Sequence, residues 1–249
     1  MAPLSLVLLP GMDGTGLLFQ PLIAALPDSL APVVVRYPGD CCLSYKDLLP
    51  IALAALPRDG GFVLLGESFS GPLTVMIASI RPAGLAGVIL CASFVSKPRR
   101  FLGPAVHLFV RAPLFGCYFP YKRLCARLLG LTEPAHRRML DEMDRMVKPA
   151  VIAHRVRMVF QTDVRDALRS CQVPMLYIQA KKDLLVPRRN LRQIQRIKPD
   201  IEVVTLDSSH FVLQSHPASA APAIAKFALN APPAPCVSDS LFGGTAPRP

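Results

Sequence analysis

Six short runs of apolar and β-branched residues alternate with helix-like patterns along the chain. The runs cover residues 5–9, 32–37, 61–66, 86–91, 174–179 and 201–206. Continuous apolar runs separated by helices are typical of a parallel sheet that is covered on both faces. Helices are predicted over 16–27, 44–56, 71–81, 187–197 and 217–229. The sequence therefore predicts an α/β protein with a mostly parallel sheet of about six strands.

The alternation breaks between the fourth and fifth predicted strands, where 82 residues separate Cys91 from Pro174. Such a segment is too long to be a single loop, and it contains helix-like patterns at 123–129, 133–147 and 150–160. We expect a helical cap over 97–165, inserted after the fourth strand of a core formed by 1–96 and 166–230. Four aromatic side chains are candidates to line the underside of this cap: Phe101, Phe109, Phe115 and Phe119.

Positive charge is concentrated in the middle of the chain. The net charge is +11, and residues 97–198 alone hold 22 Lys and Arg against 7 Asp and Glu, an excess of 15. A solvated helical surface is one interpretation. The other is a field that attracts an acidic partner, such as an acyl carrier protein, a coenzyme A ester or a membrane surface.

The ends of the chain and its cysteines bear on location. Residues 231–249 are rich in Pro, Gly, Ser and Ala, and they are predicted to be disordered. The first apolar run lacks a preceding positive region, so it is interpreted as a strand and not as a signal peptide. No run is long enough to span a membrane. The seven cysteines are an odd number without metal-ligand spacing, which favours free thiols and a cytoplasmic protein.

The third predicted strand runs directly into a tight turn and then a helix. The turn contains Gly66-Glu67-Ser68-Phe69-Ser70-Gly71, a pattern G-x-S-x-S-G. A serine at such a turn is exposed above the sheet on a strained backbone, and its neighbours must be small. Ser70 stands where the usual pattern has its second glycine. Ser68 is therefore the candidate nucleophile.

A serine hydroxyl needs a base within hydrogen-bond reach and a third group that orients the base. Among the five histidines, His210 alone follows a predicted strand, in a turn at the carboxyl edge of the sheet. Asp183 follows the fifth strand in the same way, and the order Ser68, Asp183, His210 is that of the α/β-type catalytic triad. Asp207 is the alternative acid, but it lies only three residues before His210.

These motifs together resemble the α/β-hydrolase superfamily over residues 4–229. The pieces LLPGMDGTG and GESFSG resemble the branch that includes plant phytyl ester synthases, and the DLLVP and SSHF turns resemble capped bacterial carboxylesterases, including pimeloyl-ACP methyl ester esterases. The resemblance implies that the backbone N–H groups of Met12 and Phe69 form the oxyanion hole. It also implies that the first two of the family's eight strands are missing. The turn S-S-H and the loop L-P-G depart from the family's common G-x-G-H and H-G.

Other kinds of site fit the sequence less well. The glycines at 11, 14 and 16 reverse the spacing of a dinucleotide loop, and the Lys-Ser/Thr of a phosphate-binding loop is missing. No metal, cofactor or nucleic-acid partner is expected. The prediction is a serine carboxylesterase that acts on short to medium acyl esters. An acyltransferase or thioesterase acting on carrier-bound or coenzyme A-bound acyl groups is the alternative, and a non-catalytic ligand-binding relative is a third hypothesis.

Overall fold

A six-stranded parallel sheet forms the centre of the protein. The computed structural model describes residues 3–98, 131 and 134–232. The strands are β1 (Leu4–Leu9), β2 (Leu30–Val34), β3 (Phe62–Glu67), β4 (Leu85–Cys91), β5 (Met175–Ala180) and β6 (Glu202–Leu206). Their order across the sheet is β2-β1-β3-β4-β5-β6, and every neighbouring pair is parallel. The predicted α/β-hydrolase architecture is confirmed.

Helices lie between the strands, as the alternating pattern predicts. In the described residues they are α1 (Gln20–Ala25), α2 (Tyr45–Ala54), α3 (Gly71–Ile80), α4 (Pro134–Met146), α5 (Pro149–Gln161), α6 (Arg165–Ser170), α7 (Arg189–Ile197), α8 (Val212–Ser215) and α9 (Pro217–Asn230). Ser44 and Asp47 begin α2 with a capping box, in which each side chain accepts from the backbone of the other residue. None of the described helices is both long and apolar enough to cross a membrane.

The core has two layers, one on each face of the sheet. Along β1, Val7 and Leu9 pack in one layer, while Leu6 and Leu8 pack in the other. The first layer is completed by α2, α3, α5, α6 and α7, and the second by α1, α8 and α9. All residues of β3, β4 and β5 are buried, which explains why these strands are continuous apolar runs.

Strand β2 is displaced from its predicted range of 32–37, and the physical reason bears on the site. Val35 still donates to Leu8, at 3.0 Å, but the Tyr37 N–H donates to the carbonyl oxygen of Gly14 at 2.8 Å. The chain therefore leaves the strand ladder and bonds to the loop after β1. This contact fixes one side of that loop.

The segment between β4 and β5 contains α4 and α5, close to the predicted helices at 133–147 and 150–160. Met139, Leu140 and Met143 of α4 form a small apolar cluster with Leu18, against which Phe211 packs. The inserted helix α4 thus packs against the loop after β1 and the loop after β6. The predicted helix 123–129 and the four candidate phenylalanines lie outside the described residues. The division into core and cap, and the disorder of 231–249, stay predictions.

Candidate active site

Ser68 lies at the turn between β3 and α3, on a strained backbone. Its φ is +48°, in the left-handed region that residues with a side chain rarely adopt. The close approach of strand and helix leaves no room for side chains at two nearby positions. A Cβ on Gly66 would collide with the Thr74 side chain, and a Cβ on Gly71 would collide with that of Ser93. The turn therefore holds the Ser68 side chain in one direction.

Ser70 is compatible with this turn because it does not carry the strain. Its φ is −82°, in the ordinary right-handed region, so the positive φ falls on Ser68. The Ser70 hydroxyl is fully buried, and it donates to the carbonyl oxygen of Pro10. The Tyr37 hydroxyl lies 2.7 Å from the Ser70 Oγ. Serine in place of the usual glycine thus links the turn to the loop after β1.

His210 lies beside Ser68, in the turn between β6 and α8. Its Nε2 is 2.8 Å from the Ser68 Oγ, and its Nδ1 is 2.8 Å from the Asp183 Oδ2. A carboxylate can only accept, so Nδ1 donates to Asp183 and Nε2 is left to accept the Ser68 proton. The imidazole is 5% exposed, which protects this arrangement from water.

Asp183 is held by the backbone after β5. Its Oδ1 accepts from the N–H groups of Leu185 and Val186, both at 2.8 Å, and its Oδ2 faces the imidazole. Asp207 has a different environment: it is 64% exposed and forms an ion pair with Lys182 at 3.0 Å. That lysine lowers the pKa of the Asp207 carboxyl. The structure therefore places Asp183, and not Asp207, against the ring.

Phe69 is fixed on both its main chain and its ring. The Tyr45 hydroxyl donates to the Phe69 carbonyl at 2.7 Å, and the two rings stack with centroids 4.9 Å apart. Tyr37 meets the Phe69 ring edge-on at 6.4 Å. The Phe69 N–H belongs to the first turn of a 3-10 helix, where amide groups have no partner within the helix. The peptide that bears this candidate oxyanion donor is thus held in place.

Met12, whose N–H is the other candidate oxyanion donor, lies in the loop after β1. Within the described residues, its N–H donates no hydrogen bond. The loop is ordered by Asp13, whose Oδ2 accepts from the Thr15 N–H at 2.8 Å and from its hydroxyl. Gly14 has a φ of +73°, so it supplies a conformation that other residues rarely adopt.

Arg155 holds the same loop from α5, and sequence reasoning did not find it. Its Nη1 donates to the carbonyl oxygens of Met12 at 2.9 Å and Asp13 at 2.6 Å, and its Nη2 donates to Pro38 at 2.9 Å. The guanidinium lies 5.7 Å from the centre of the Tyr37 ring. The side chain is 2% exposed, and this burial lowers its pKa. An inserted helix therefore anchors the loop that carries Met12.

A signal for Arg155 does exist in the sequence. The residue lies four positions after Val151 and four before Val159, which is the spacing of the buried stripe of α5. An arginine within an apolar stripe must find acceptors inside the protein. The acceptors themselves cannot be read from local pattern, because Met12 is 143 positions away.

Glu67 is a second functional candidate that sequence reasoning missed. It precedes Ser68, it is 4% exposed, and its Oε1 accepts from the Gln214 Nε2 at 2.9 Å. Burial raises the pKa of the Glu67 carboxyl to about 7, although the bond from Gln214 opposes this. A buried carboxyl whose pKa lies near neutral pH thus belongs to the residue directly before the candidate nucleophile.

The arrangement has the parts needed for attack on an acyl carbon. A hydroxyl on a strained turn lies within hydrogen-bond distance of an imidazole nitrogen, and the other ring nitrogen faces a buried carboxylate. The residues that bear the candidate oxyanion donors, Met12 and Phe69, are held by hydrogen bonds to their carbonyl oxygens. Within the described residues, no group of His, Cys, Asp or Glu side chains has the arrangement of a metal site.

Comparison with known proteins identifies the same fold. A model named "Alpha/beta hydrolase family" matches residues 6–223. The esterase from Exiguobacterium antarcticum superposes with a TM-score of 0.77 at 14% identity, over 91% of this chain and 92% of that chain. A lipase-esterase related protein from Clostridium acetobutylicum gives 0.75 at 14% identity, over 91% and 95%. The bromoperoxidase from Bacillus anthracis gives 0.76 at 15% identity, over 90% and 91%. No curated protein matches by sequence.

Proposed function

Because the chain belongs to the alpha/beta hydrolase family, we propose that it is a serine carboxylesterase acting on small esters with short to medium acyl groups. The hydrogen-bonded series from Ser68 through His210 to Asp183 is the observation that supports this most directly. The esterase from Exiguobacterium antarcticum has the same fold, which is consistent with the proposal.

Acylation begins with attack of the Ser68 Oγ on the ester carbonyl carbon. As the new bond forms, the hydroxyl proton passes to the His210 Nε2, and Asp183 stabilises the imidazolium. The carbonyl oxygen gains a negative charge and accepts from the N–H groups of Met12 and Phe69. When the C=O bond reforms, the alcohol leaves and takes the proton from His210.

Deacylation repeats these steps with water as the nucleophile. Water adds to the acyl carbon and gives a proton to the His210 Nε2. The second tetrahedral intermediate collapses, the carboxylic acid leaves, and the Ser68 Oγ recovers its proton. The net reaction is ester plus water to acid plus alcohol.

Active-site labelling tests the nucleophile. A fluorophosphonate should add one phosphonyl group to the folded wild-type protein, and mass spectrometry of peptides should place it on Ser68. Ser68→Ala should not be labelled, and its ester turnover should fall by several orders of magnitude. Ser170→Ala is the matched control, since Ser170 is exposed and, in the described part of the chain, its hydroxyl bonds only to its own helix. Labelling at another residue, or none in folded protein, would reject the proposal.

Product analysis separates hydrolysis from acyl transfer. With a p-nitrophenyl ester and added alcohol, the carboxylic acid should be the main product, at the ratio that simple partition between water and alcohol gives. An excess of the transfer product would favour an acyltransferase instead. Action on acyl groups carried by an acidic carrier protein or coenzyme A stays a prediction from the charge of residues 97–198.

A further inference from the structure

A cavity of about 590 Å³ lies between the C-terminal end of α5, the residues after β4 and the outer part of α7. We call it the α5–α7 cavity. The residues that line it and matter here are Lys97, Asp163, Arg165, Arg189, Gln193 and Arg196. Ser68, His210 and Asp183 are not among its lining residues. The cavity therefore has a chemistry of its own that the proposed ester hydrolysis does not use.

The lining of the α5–α7 cavity is strongly positive. It carries four cationic side chains and a single carboxylate, that of Asp163. Asp163 is already paired, because Arg165 donates to both of its oxygens, with Nε–Oδ1 at 2.8 Å and Nε–Oδ2 at 3.1 Å. Three cations are left without a compensating carboxylate in the described part of the chain. A concave surface with charge of one sign concentrates the opposite ion.

Hydrogen bonds connect the segments that carry the donor side chains of the cavity. Arg189 donates to the carbonyl oxygen of Pro98, at 2.5 Å from Nη2 and 3.2 Å from Nε. The Ser96 hydroxyl donates to the Gln193 Oε1 at 2.8 Å, so this amide has its nitrogen left as a donor. The Lys97 N–H donates to the Thr162 carbonyl at 3.1 Å. These bonds join the residues after β4 to the end of α5 and to α7. Side chains that are already held in place lose little conformational entropy when a ligand binds.

Two of the cations have no partner among the described residues. No ion pair or side-chain hydrogen bond is found there for Lys97 or Arg196, which lie on different walls of the cavity. Together with Arg189, they can approach one ligand from two sides. Guanidinium groups match phosphate oxygens with paired hydrogen bonds, and an ammonium adds a compact charge.

We propose that the α5–α7 cavity binds a small molecule that carries a diphosphate group. Three uncompensated cations suit a ligand with at least two negative charges, which a single carboxylate does not supply. The volume exceeds that of one phosphate group and is within the range of small-molecule sites, about 300–1,000 Å³. The amide nitrogen of Gln193 provides a neutral donor to a bridging or terminal oxygen.

Binding of inorganic pyrophosphate to the full-length protein tests this proposal. Calorimetric titration at low ionic strength should give saturable binding with one site per chain. Arg196→Glu should weaken the affinity at least about tenfold, since a charged hydrogen bond is lost and a repulsive charge is added. Lys97→Glu should do the same. Orthophosphate, with one phosphate group, should bind more weakly than pyrophosphate to the wild-type protein.

Arg192→Glu is the matched control for net charge. Arg192 is exposed on the same helix, but it does not line the cavity. Its replacement changes the charge of the whole protein by the same amount and should alter pyrophosphate affinity less than about twofold, which corresponds to a small free-energy difference. Equal weakening by Arg192→Glu and Arg196→Glu would overturn the proposal, as would equal affinity for sulfate at the same ionic strength, or no saturable binding. Turnover of a neutral ester by Arg196→Glu should stay at the wild-type level, which separates this site from the proposed catalytic one.

Discussion

The guanidinium of Arg155 donates to the carbonyl oxygen of Met12 at 2.9 Å, although the two residues are 143 positions apart. The bond joins α5, in the segment inserted between β4 and β5, to the loop after β1. A carbonyl that accepts this bond fixes the adjacent peptides of the loop, including the one that presents the Met12 N–H. The insertion is therefore linked to the position of a candidate oxyanion donor.

Arg155→Lys should lower kcat by about tenfold to a hundredfold with little change in KM, because a lysine cannot span the acceptors that the guanidinium holds. A trifluoromethyl ketone that forms an oxyanion with Ser68 should lose affinity in parallel with kcat/KM, since it reports the transition state. Inhibition constants and steady-state kinetics provide the measurement. Arg157→Lys on the same helix is the control and should behave like the wild type.

A purely structural role for Arg155 would give a different pattern. The melting temperature of Arg155→Lys would then fall, while kcat and the inhibition constant of the folded protein would equal the wild-type values. That result would remove Arg155 from the positioning of the oxyanion loop.

The two candidate acids can be separated by matched substitutions. Asp183→Asn should lower kcat/KM by about a thousandfold to ten thousandfold, because an amide no longer fixes the tautomer of His210 or stabilises its charged form. Asp207→Asn should change kcat/KM by less than about twofold, since its exposed ion pair with Lys182 has little energetic weight. Steady-state assays with one ester decide the order. A larger loss from Asp207→Asn would contradict the assignment.

The parts of the fold that follow local rules were predictable. Buried parallel strands are continuous apolar runs, so β1, β3, β4 and β5 could be located from the order of residues alone. The edge strand β6 has no buried residue, and its β-branched residues indicated it instead. Ser68, Asp183 and His210 follow strand ends that meet at one edge of the sheet, and their geometry agrees with that expectation. Their catalytic roles stay predictions.

The parts that depend on contacts distant in sequence were not predictable. Strand β2 ends early because Tyr37 bonds to Gly14 instead of to the sheet. The buried hydrogen bond between Gln214 and Glu67 joins residues 147 positions apart. The sequence around either residue does not indicate this partner. Burial of a charged or polar side chain depends on the acceptors available in three dimensions, which a single sequence does not state.

Ser70 provides a test of the altered second position in the turn motif. Ser70→Ala should lower the free energy of unfolding by about 1–3 kcal/mol, because the buried Tyr37 hydroxyl and the Pro10 carbonyl both lose a partner. Urea denaturation gives the measurement. Ser79→Ala is the control, since Ser79 lies near the end of the helix α3 that follows Ser70 and, among the described residues, its hydroxyl donates to the Met76 carbonyl alone. It should cost less than about 1 kcal/mol.

The contact between Ser70 and Tyr37 can be isolated with a double-mutant cycle. Tyr37→Phe and Ser70→Ala should be non-additive, with a coupling of at least about 0.5 kcal/mol, because each removes the same hydrogen bond. Strict additivity would mean that this bond contributes nothing to stability, and that Ser70 acts only through Pro10.

Glu67 makes the stability of the protein depend on pH near neutrality. Its pKa is raised by burial from 4.5 to about 7 in the folded state. Between these values the unfolded chain has released the proton while the folded protein still holds it, so the unfolded state binds fewer protons. The free energy of unfolding must then decrease as the pH rises through this range, by roughly 3 kcal/mol in all. Above pH 7 it levels off.

Glu67→Gln removes this titration but keeps an acceptor for Gln214, so the two proteins should diverge with pH. At pH 5 the free energies of unfolding should agree within about 1 kcal/mol, because Glu67 is neutral in the folded wild type and the pH lies only slightly above the unfolded pKa of 4.5. At pH 8 the variant should be the more stable by up to roughly 3 kcal/mol, since it avoids the cost of burying or protonating a carboxylate. Urea denaturation at both values gives the difference, from which groups common to the two proteins cancel. A difference that is the same at pH 5 and pH 8 would show that Glu67 has an ordinary pKa in the folded protein, and that its burial does not affect its ionisation.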